Sequence, residues 1–348
     1  MSNDLQKNRI EYYDYLRVFA TFSVVVIHII SRVWYSAEIG TFEWYTINVF
    51  FGCARWSVPV FVMISGALFL NSSKPFISIL KTNALRLITA FAFWSFLYAV
   101  YDYISGQGLL ESIGNFFKGR YHMWFVFMIL GLYFIIPFLR VIIKNEKLTK
   151  YFIFLSLFSA IIIPQFVSII SIFLPSTSSV LESIVHNTFF YFPLGYSGYF
   201  VLGFYLSKKE IHRHWRLVLY IIGIFSVVFT IVFSLLYSAF IEKTEMFFDY
   251  LTLNVFGVSI AVFVFVKNHK FKANSVLYRI IKNVSNHCFG IYLIHVFFVN
   301  FISNKLHIHA LSYNPIIVVP CASIAVFIVS FIIIFLIRRI PQIGRYIT

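Results

Sequence analysis

Four side chains able to carry charge or a proton, Asp14, Arg17, His28 and Arg32, lie in one otherwise apolar segment near the start of the chain. A neutral imidazole is the natural general base near pH 7. A guanidinium recognises phosphate or carboxylate through planar, paired hydrogen bonds. On an α-helix, the step from Arg17 to His28 turns the chain by about 1100°, which leaves His28 within roughly 20° of the Arg17 face. Asp14, Thr21 and Arg32 fall on the same side, so one polar stripe runs along this helix. His28 lies about 16 Å beyond Arg17 at 1.5 Å per residue. Ionisable groups at membrane depth are costly and mark functional sites, and such a stripe has to face protein or water rather than lipid. Asp14 and Arg17, three residues apart, are also spaced to pair with each other at the membrane edge.

Further candidates lie downstream. Arg55 stands mid-way along the second apolar segment, in Ala54-Arg55-Trp56-Ser57-Val58-Pro59. A buried Arg needs an anion or a set of carbonyls, and Pro59 frees the carbonyl four residues earlier, that of Arg55 itself; Arg55 either serves a site or makes a structural contact that bridges helices. His295, in Gly290-Ile291-Tyr292-Leu293-Ile294-His295, either lines the same cavity as His28 or caps a helix contact. His122 and Trp124 stand where a membrane-interface aromatic belt is also expected. His212, His214, His307 and His309 are loop residues without further ligands nearby, so no metal site is expected. Cys53, Cys288 and Cys321 are scattered through apolar segments and read as packing residues.

The elements that position these residues follow from composition. Of 348 residues, 60% are apolar and 12% charged, with 44 Phe. Ordinary soluble domains are about 25% charged, and barrel strands are short and alternate in polarity. The fold class expected is therefore all-α, a polytopic membrane protein of about ten transmembrane helices forming one domain over 1–348. Segments long enough to cross a bilayer fall at about 13–35, 45–70, 82–103, 122–143, 150–174, 189–206, 216–240, 247–267, 286–304 and 312–337. With both termini cytoplasmic, 22 of the 28 Lys and Arg fall on the inner side; Arg32, Arg55, Lys118, Arg120, Lys243 and Lys305 are the exceptions. The net charge of +15 thus reads as membrane topology rather than a nucleic-acid footprint. The polar start, Met1 to Glu11, followed by a long apolar run, argues against a cleavable signal. No phosphate-binding loop, dinucleotide fingerprint or nucleophile elbow occurs.

Physics alone implies a membrane cavity with a deep His and cations (Arg17, Lys74, Lys81, Arg86) at its cytoplasmic mouth. Such a mouth suits a phosphate-bearing ligand, and the His suits proton removal from a hydroxyl or thiol. A transporter or flippase for a polysaccharide or lipid-linked saccharide uses the same parts, with His as proton relay and Arg as anchor.

The motifs, taken in order, resemble the acyltransferase-3 membrane family. Tyr13-Asp14-Tyr15-Leu16-Arg17-Val18-Phe19-Ala20, with His28 eleven residues after the Arg, is similar to its opening signature. Val58 to Gly66, Tyr121-His122-Met123-Trp124-Phe125, Tyr199-Phe200-Val201-Leu202-Gly203 and Ser285 to His295 resemble later ones. The resemblance implies acyl transfer, usually acetyl, from cytoplasmic acyl-coenzyme A to a hydroxyl of a cell-surface glycan or its lipid-linked precursor. It implies that His28 is catalytic, either as general base or as a brief carrier of the acyl group, and that Arg17 and a third-span basic motif hold coenzyme A phosphates. The usual Arg-x-x-Arg of that motif is here Asn83-Ala84-Leu85-Arg86; Lys81 is the nearest substitute for the missing Arg, as a point charge without the planar fork. Arg55 is expected to stabilise the oxyanion or bind the acceptor, Asp14 to orient Arg17, and His295, His122 and Trp124 to contact the acceptor. Acetyl-coenzyme A is the donor substrate expected, with no metal and no nucleic acid. The location expected is a bacterial inner membrane. Among members, the chain is similar to the small stand-alone type that acetylates enterobacterial common antigen.

Overall fold

Apolar runs this long form helices because the bilayer offers backbone N–H and C=O groups no other partner. The computed structural model describes residues 10–174, 180, 183, 191–271, 275–341 and 344–348, and among these it holds helices and no strand. Lys7, Arg9, Lys272, residues 189–190 of the sixth expected span and most of the 175–188 connection lie outside the described residues.

The helices are α1 (Glu11–Ser31), α2 (Phe42–Ala54), α3 (Ser57–Leu70), α4 (Phe76–Ile79), α5 (Leu85–Ile104), α6 (Leu109–Lys118), α7 (Trp124–Ile142), α8 (Glu146–Leu157) and α9 (Ile163–Phe173). Then follow α10 (Tyr191–Lys208), α11 (Arg213–Phe240), α12 (Leu253–Asn268), α13 (Val276–Asn304), α14 (Pro315–Ile337) and α15 (Gly344–Ile347). Three expected spans are interrupted. Arg55 and Trp56 separate α2 from α3, and π-helical turns at Leu80–Ala84 and Phe158–Ile162 join α4 to α5 and α8 to α9. Such interruptions re-aim side chains and are frequent at functional sites.

Among the described residues, nine of the ten expected spans are long and apolar enough to cross a bilayer. The remaining one, α10, is diluted by Tyr and Gly, yet the packing requires it to cross. Helices α1 and α13 run parallel: Asp14 meets Tyr278 and Ser285, His28 meets His295, and Arg32 meets Asn300 and Asn304. A chain that reverses at each connection regains its direction only after an even number of reversals. Counting α2–α3, α4–α5 and α8–α9 as one crossing each, α13 is parallel to α1 only if α10 also crosses. Its lower apolarity fits its position, because protein rather than lipid covers much of it. Tyr199, Phe200, Val201 and Leu202 are all buried.

Backbone meets backbone where α10 packs on α3. A Cβ on Gly66 would lie 1.8 Å from the Phe200 carbonyl oxygen, and one on Gly203 would lie 2.0 Å from that of Met63. Two separated sequence motifs thus form one small-residue helix contact.

Charges expected on opposite sides of the membrane sit at opposite ends of the bundle. At one end Arg140 donates to the carbonyls of Phe69, Ser72 and Lys74, Lys267 to those of Leu206 and Lys209, and Arg216 to Asn268. At the other end Arg32 donates to Asn300 and Asn304, Lys243 donates to the carbonyls of Tyr35 and Ala37, and Arg120 pairs with Asp102 at 2.8 Å.

Candidate active site

The stripe on α1 faces α13 along its whole length. Asp14, fully buried, accepts from the Ser285 hydroxyl at 2.7 Å, the Tyr278 hydroxyl at 3.2 Å and Arg17 at 3.3 Å. Each helix therefore satisfies the polar groups of the other, as groups withdrawn from water must be. Asp14 is held by these contacts and is not on the cavity wall. Its link to the cavity is through Arg17, which does line it.

Further along the seam, three imidazoles gather. The ring centroids of His28, His122 and His295 lie 4.8 to 6.0 Å apart. Carbonyl oxygens only accept, and this assigns the protons. His295 Nδ1 lies 2.7 Å from the Tyr292 carbonyl, so Nδ1 carries the hydrogen and Nε2 the lone pair. His28 Nδ1 lies 2.8 Å from the Val24 carbonyl and 2.9 Å from His295 Nε2, so its N–H is shared between these two acceptors. In the neutral ring His28 Nε2 is then the unprotonated nitrogen, and no described residue hydrogen-bonds it. His122 Nε2 lies 3.3 Å from the Leu293 carbonyl, which leaves its buried Nδ1 lone pair without a partner. The nitrogens bond to one another and to carbonyls rather than converging on a point. Among the described residues, no group of three or more His, Cys, Asp or Glu is arranged to hold a metal ion.

A cavity of about 400 Å3 opens beside this cluster. His28 and His122 are on its wall, whereas His295, fully buried, stands behind His28. Trp124, Phe125, Tyr250 and Tyr292 give it aromatic walls at the His122 end. Arg17, Arg86 and Arg338 line it towards the end where the basic connections gather. Asn83 lines it too, but Lys81 is exposed and absent from the wall. Arg86 donates to the Thr348 carbonyl, and neighbouring groups of α5 hold the same segment, Thr89 Oγ1 through the Tyr346 carbonyl and Trp94 Nε1 through that of Ile347.

Arg55, at the break between α2 and α3, is buried and is not on the cavity wall. Its Nε donates to the Phe248 carbonyl, and its guanidinium is sandwiched by the rings of Phe51 at 4.7 Å and Tyr250 at 4.5 Å. Tyr250, in turn, stacks on Trp124 at 6.0 Å. Sequence reasoning missed Arg338, Tyr250 and Tyr292 as wall residues. The signal for Arg338 was present, since it ends the last span; nothing local distinguished the two tyrosines among 22. Cys288, expected as packing, also lines the cavity.

A family model described as an acyltransferase domain, acyltransferase-3, matches residues 10–335. No curated protein and no solved structure matches the chain.

Proposed function

The chain belongs to the acyltransferase-3 family and is a multi-pass membrane acyltransferase; on that premise we propose that it moves an acyl group, acetyl foremost, from acyl-coenzyme A to a glycan hydroxyl. The acceptor is a cell-surface glycan or its lipid-linked precursor, of the kind represented by enterobacterial common antigen, and the setting is a bacterial inner membrane with both chain termini cytoplasmic. One observation carries the reading: a single cavity has guanidinium groups at one end and an unengaged imidazole nitrogen, His28 Nε2, deep within it.

Arg17 and Arg86 take the phosphates of the donor, and Arg338 adds a third positive charge on the same wall. Arg86 exchanges the neutral Thr348 carbonyl for a phosphate oxygen, a stronger, charge-assisted partner. Asn83 supplies a neutral amide where the family pattern has Arg. Asp14 fixes the position of Arg17. The acceptor sugar packs on Trp124 and Tyr250, whose apolar faces suit a pyranose ring, and one of its hydroxyls donates to His122 Nδ1. His28 Nε2 removes the proton of the attacking hydroxyl, whose oxygen bonds to the thioester carbon. The C–S bond breaks, and the leaving thiolate recovers the proton from His28. Arg55 contributes its charge from behind Tyr250.

The test is thermal stability of the detergent-purified protein against rising acetyl-coenzyme A, with acetate and a neutral pantetheine fragment as controls. Saturation at 100 times Kd adds about 2.7 kcal/mol. A rise that Arg17→Ala and Arg86→Ala abolish supports the donor site. No shift at millimolar donor with folded protein overturns it and favours transport of the saccharide, which needs no acyl donor.

A further inference from the structure

We propose that His295 is the positioning partner of His28 and shares the positive charge that His28 acquires during transfer. The proposal rests on the reading of His28 as the base and assigns to His295 a role other than contact with the acceptor. His295 has no surface to offer a substrate. It is fully buried, absent from the cavity wall, and both ring nitrogens are occupied, Nδ1 by the Tyr292 carbonyl and Nε2 by His28. What remains is a directed chain. The Tyr292 carbonyl accepts from His295 Nδ1–H, and His295 Nε2 accepts from His28 Nδ1–H, which it shares with the Val24 carbonyl. His28 Nε2 is left facing the substrate space.

The proton count is simple. Breaking the acceptor O–H bond puts a proton on His28 Nε2 and makes that ring an imidazolium. Its Nδ1–H then bonds more strongly to the lone pair of His295, so the charge spreads over two rings. When the C–S bond breaks, the thiolate takes the proton from His28 Nε2, and both rings return to neutral. No proton is gained or lost by the pair. In soluble hydrolases a carboxylate behind the imidazole plays this part. Here no carboxylate hydrogen-bonds either ring among the described residues. Asp14, the buried acid of α1, lies about 21 Å away along the helix and is taken by Ser285, Tyr278 and Arg17. A neutral imidazole costs less to bury at membrane depth than a carboxylate. It also stays uncharged until the reaction supplies the charge.

The experiment uses the full chain, with acetyl-coenzyme A as donor and a glycan acceptor, and compares His295→Ala with His295→Gln. The Gln carbonyl accepts the hydrogen bond from His28 but cannot take a proton. We expect His295→Ala to lower kcat 10- to 100-fold with unchanged donor Kd, and His295→Gln to recover part of that loss. In 15N-histidine-labelled protein, one imidazole acceptor nitrogen, that of His295, shifts to a free position in His28→Ala. Wild-type kcat in His295→Ala overturns the proposal, as does a protonated His295 Nε2 in the 15N spectrum. Equal loss in both variants together with lost donor binding and lost thermal stability also overturns it, since that is the mark of packing alone. If the wild type transfers no acyl group, the reading of the enzyme itself falls. If the wild type is active and only the His295 result fails, that reading stands and this inference alone is lost.

Discussion

Two helix seams of this bundle are built on opposite principles. Along α1 and α13, side chains do the joining: Asp14 to Ser285 and Tyr278, His28 to His295, Arg32 to Asn300 and Asn304. Along α3 and α10, side chains are removed so that backbones touch, at Gly66 on Phe200 and at Gly203 on Met63. Lipid tails are as apolar as leucine, so helices in a membrane associate through close packing or through polar contacts. Here close backbone packing dominates one seam, with an Asn71–Ser207 hydrogen bond at its end. The polar seam holds Asp14, Arg17, His28 and His295, part of the set that the proposed chemistry uses. A polar seam costs desolvation at every contact, and it is kept where reactive groups must be positioned.

The largest test of that division is His28→Ala. It is expected to lower acyl transfer by about 10²–10⁴-fold, the usual worth of a general base, with the thermal midpoint little changed. Normal transfer in folded His28→Ala would falsify the assignment of the polar seam to chemistry. The converse change, Gly66→Ala, drives a Cβ into the Phe200 carbonyl. Overpacking typically costs roughly 1–3 kcal/mol, and rigid backbone on both sides puts this case at the upper end. Thermal midpoint and folded yield should drop, while activity per folded molecule stays close to wild type. Next comes the cationic end of the cavity. Loss of a hydrogen bond to a charged group costs about 1.5–3 kcal/mol, so Arg86→Ala should weaken donor binding by roughly 10- to 100-fold by calorimetry. Lys81→Ala, outside the wall, should leave it unchanged. The smallest effect expected is that of Asp14→Asn. The amide keeps the shape but loses the charge opposite Arg17, and donor affinity should fall by less than in Arg17→Ala. Stability should fall by about 1 kcal/mol, the scale of one hydrogen bond, read as a lower thermal midpoint.

Much of this arrangement was legible in the chain. The α1 stripe follows from helical periodicity, and the structure shows all of it directed at one neighbour. The segregation of basic residues marked which connections share an end of the bundle. Legibility failed where partners are distant in sequence. Arg55 was open to two readings, a residue serving the site or a contact bridging helices, because a buried Arg needs an anion or carbonyls. Its partners are the Phe248 carbonyl and the rings of Phe51 and Tyr250, two of them supplied from nearly 200 residues away. Lys81 looked like a substitute for a missing Arg, but it is exposed and is not on the cavity wall.

Sequence by itself determined the helical membrane class, the approximate spans, the sorting of charge and the polar face of α1. Each of these follows from local composition, periodicity or the cost of charge in hydrocarbon. Tertiary structure decided what the stripe faces, that three histidines from α1, the Tyr121–Met123 turn and α13 meet, and which of their nitrogens is left unengaged. It also decided that α10, the least apolar span, has to cross. These depend on pairings between segments as much as 272 residues apart, and no local pattern encodes which two faces will meet.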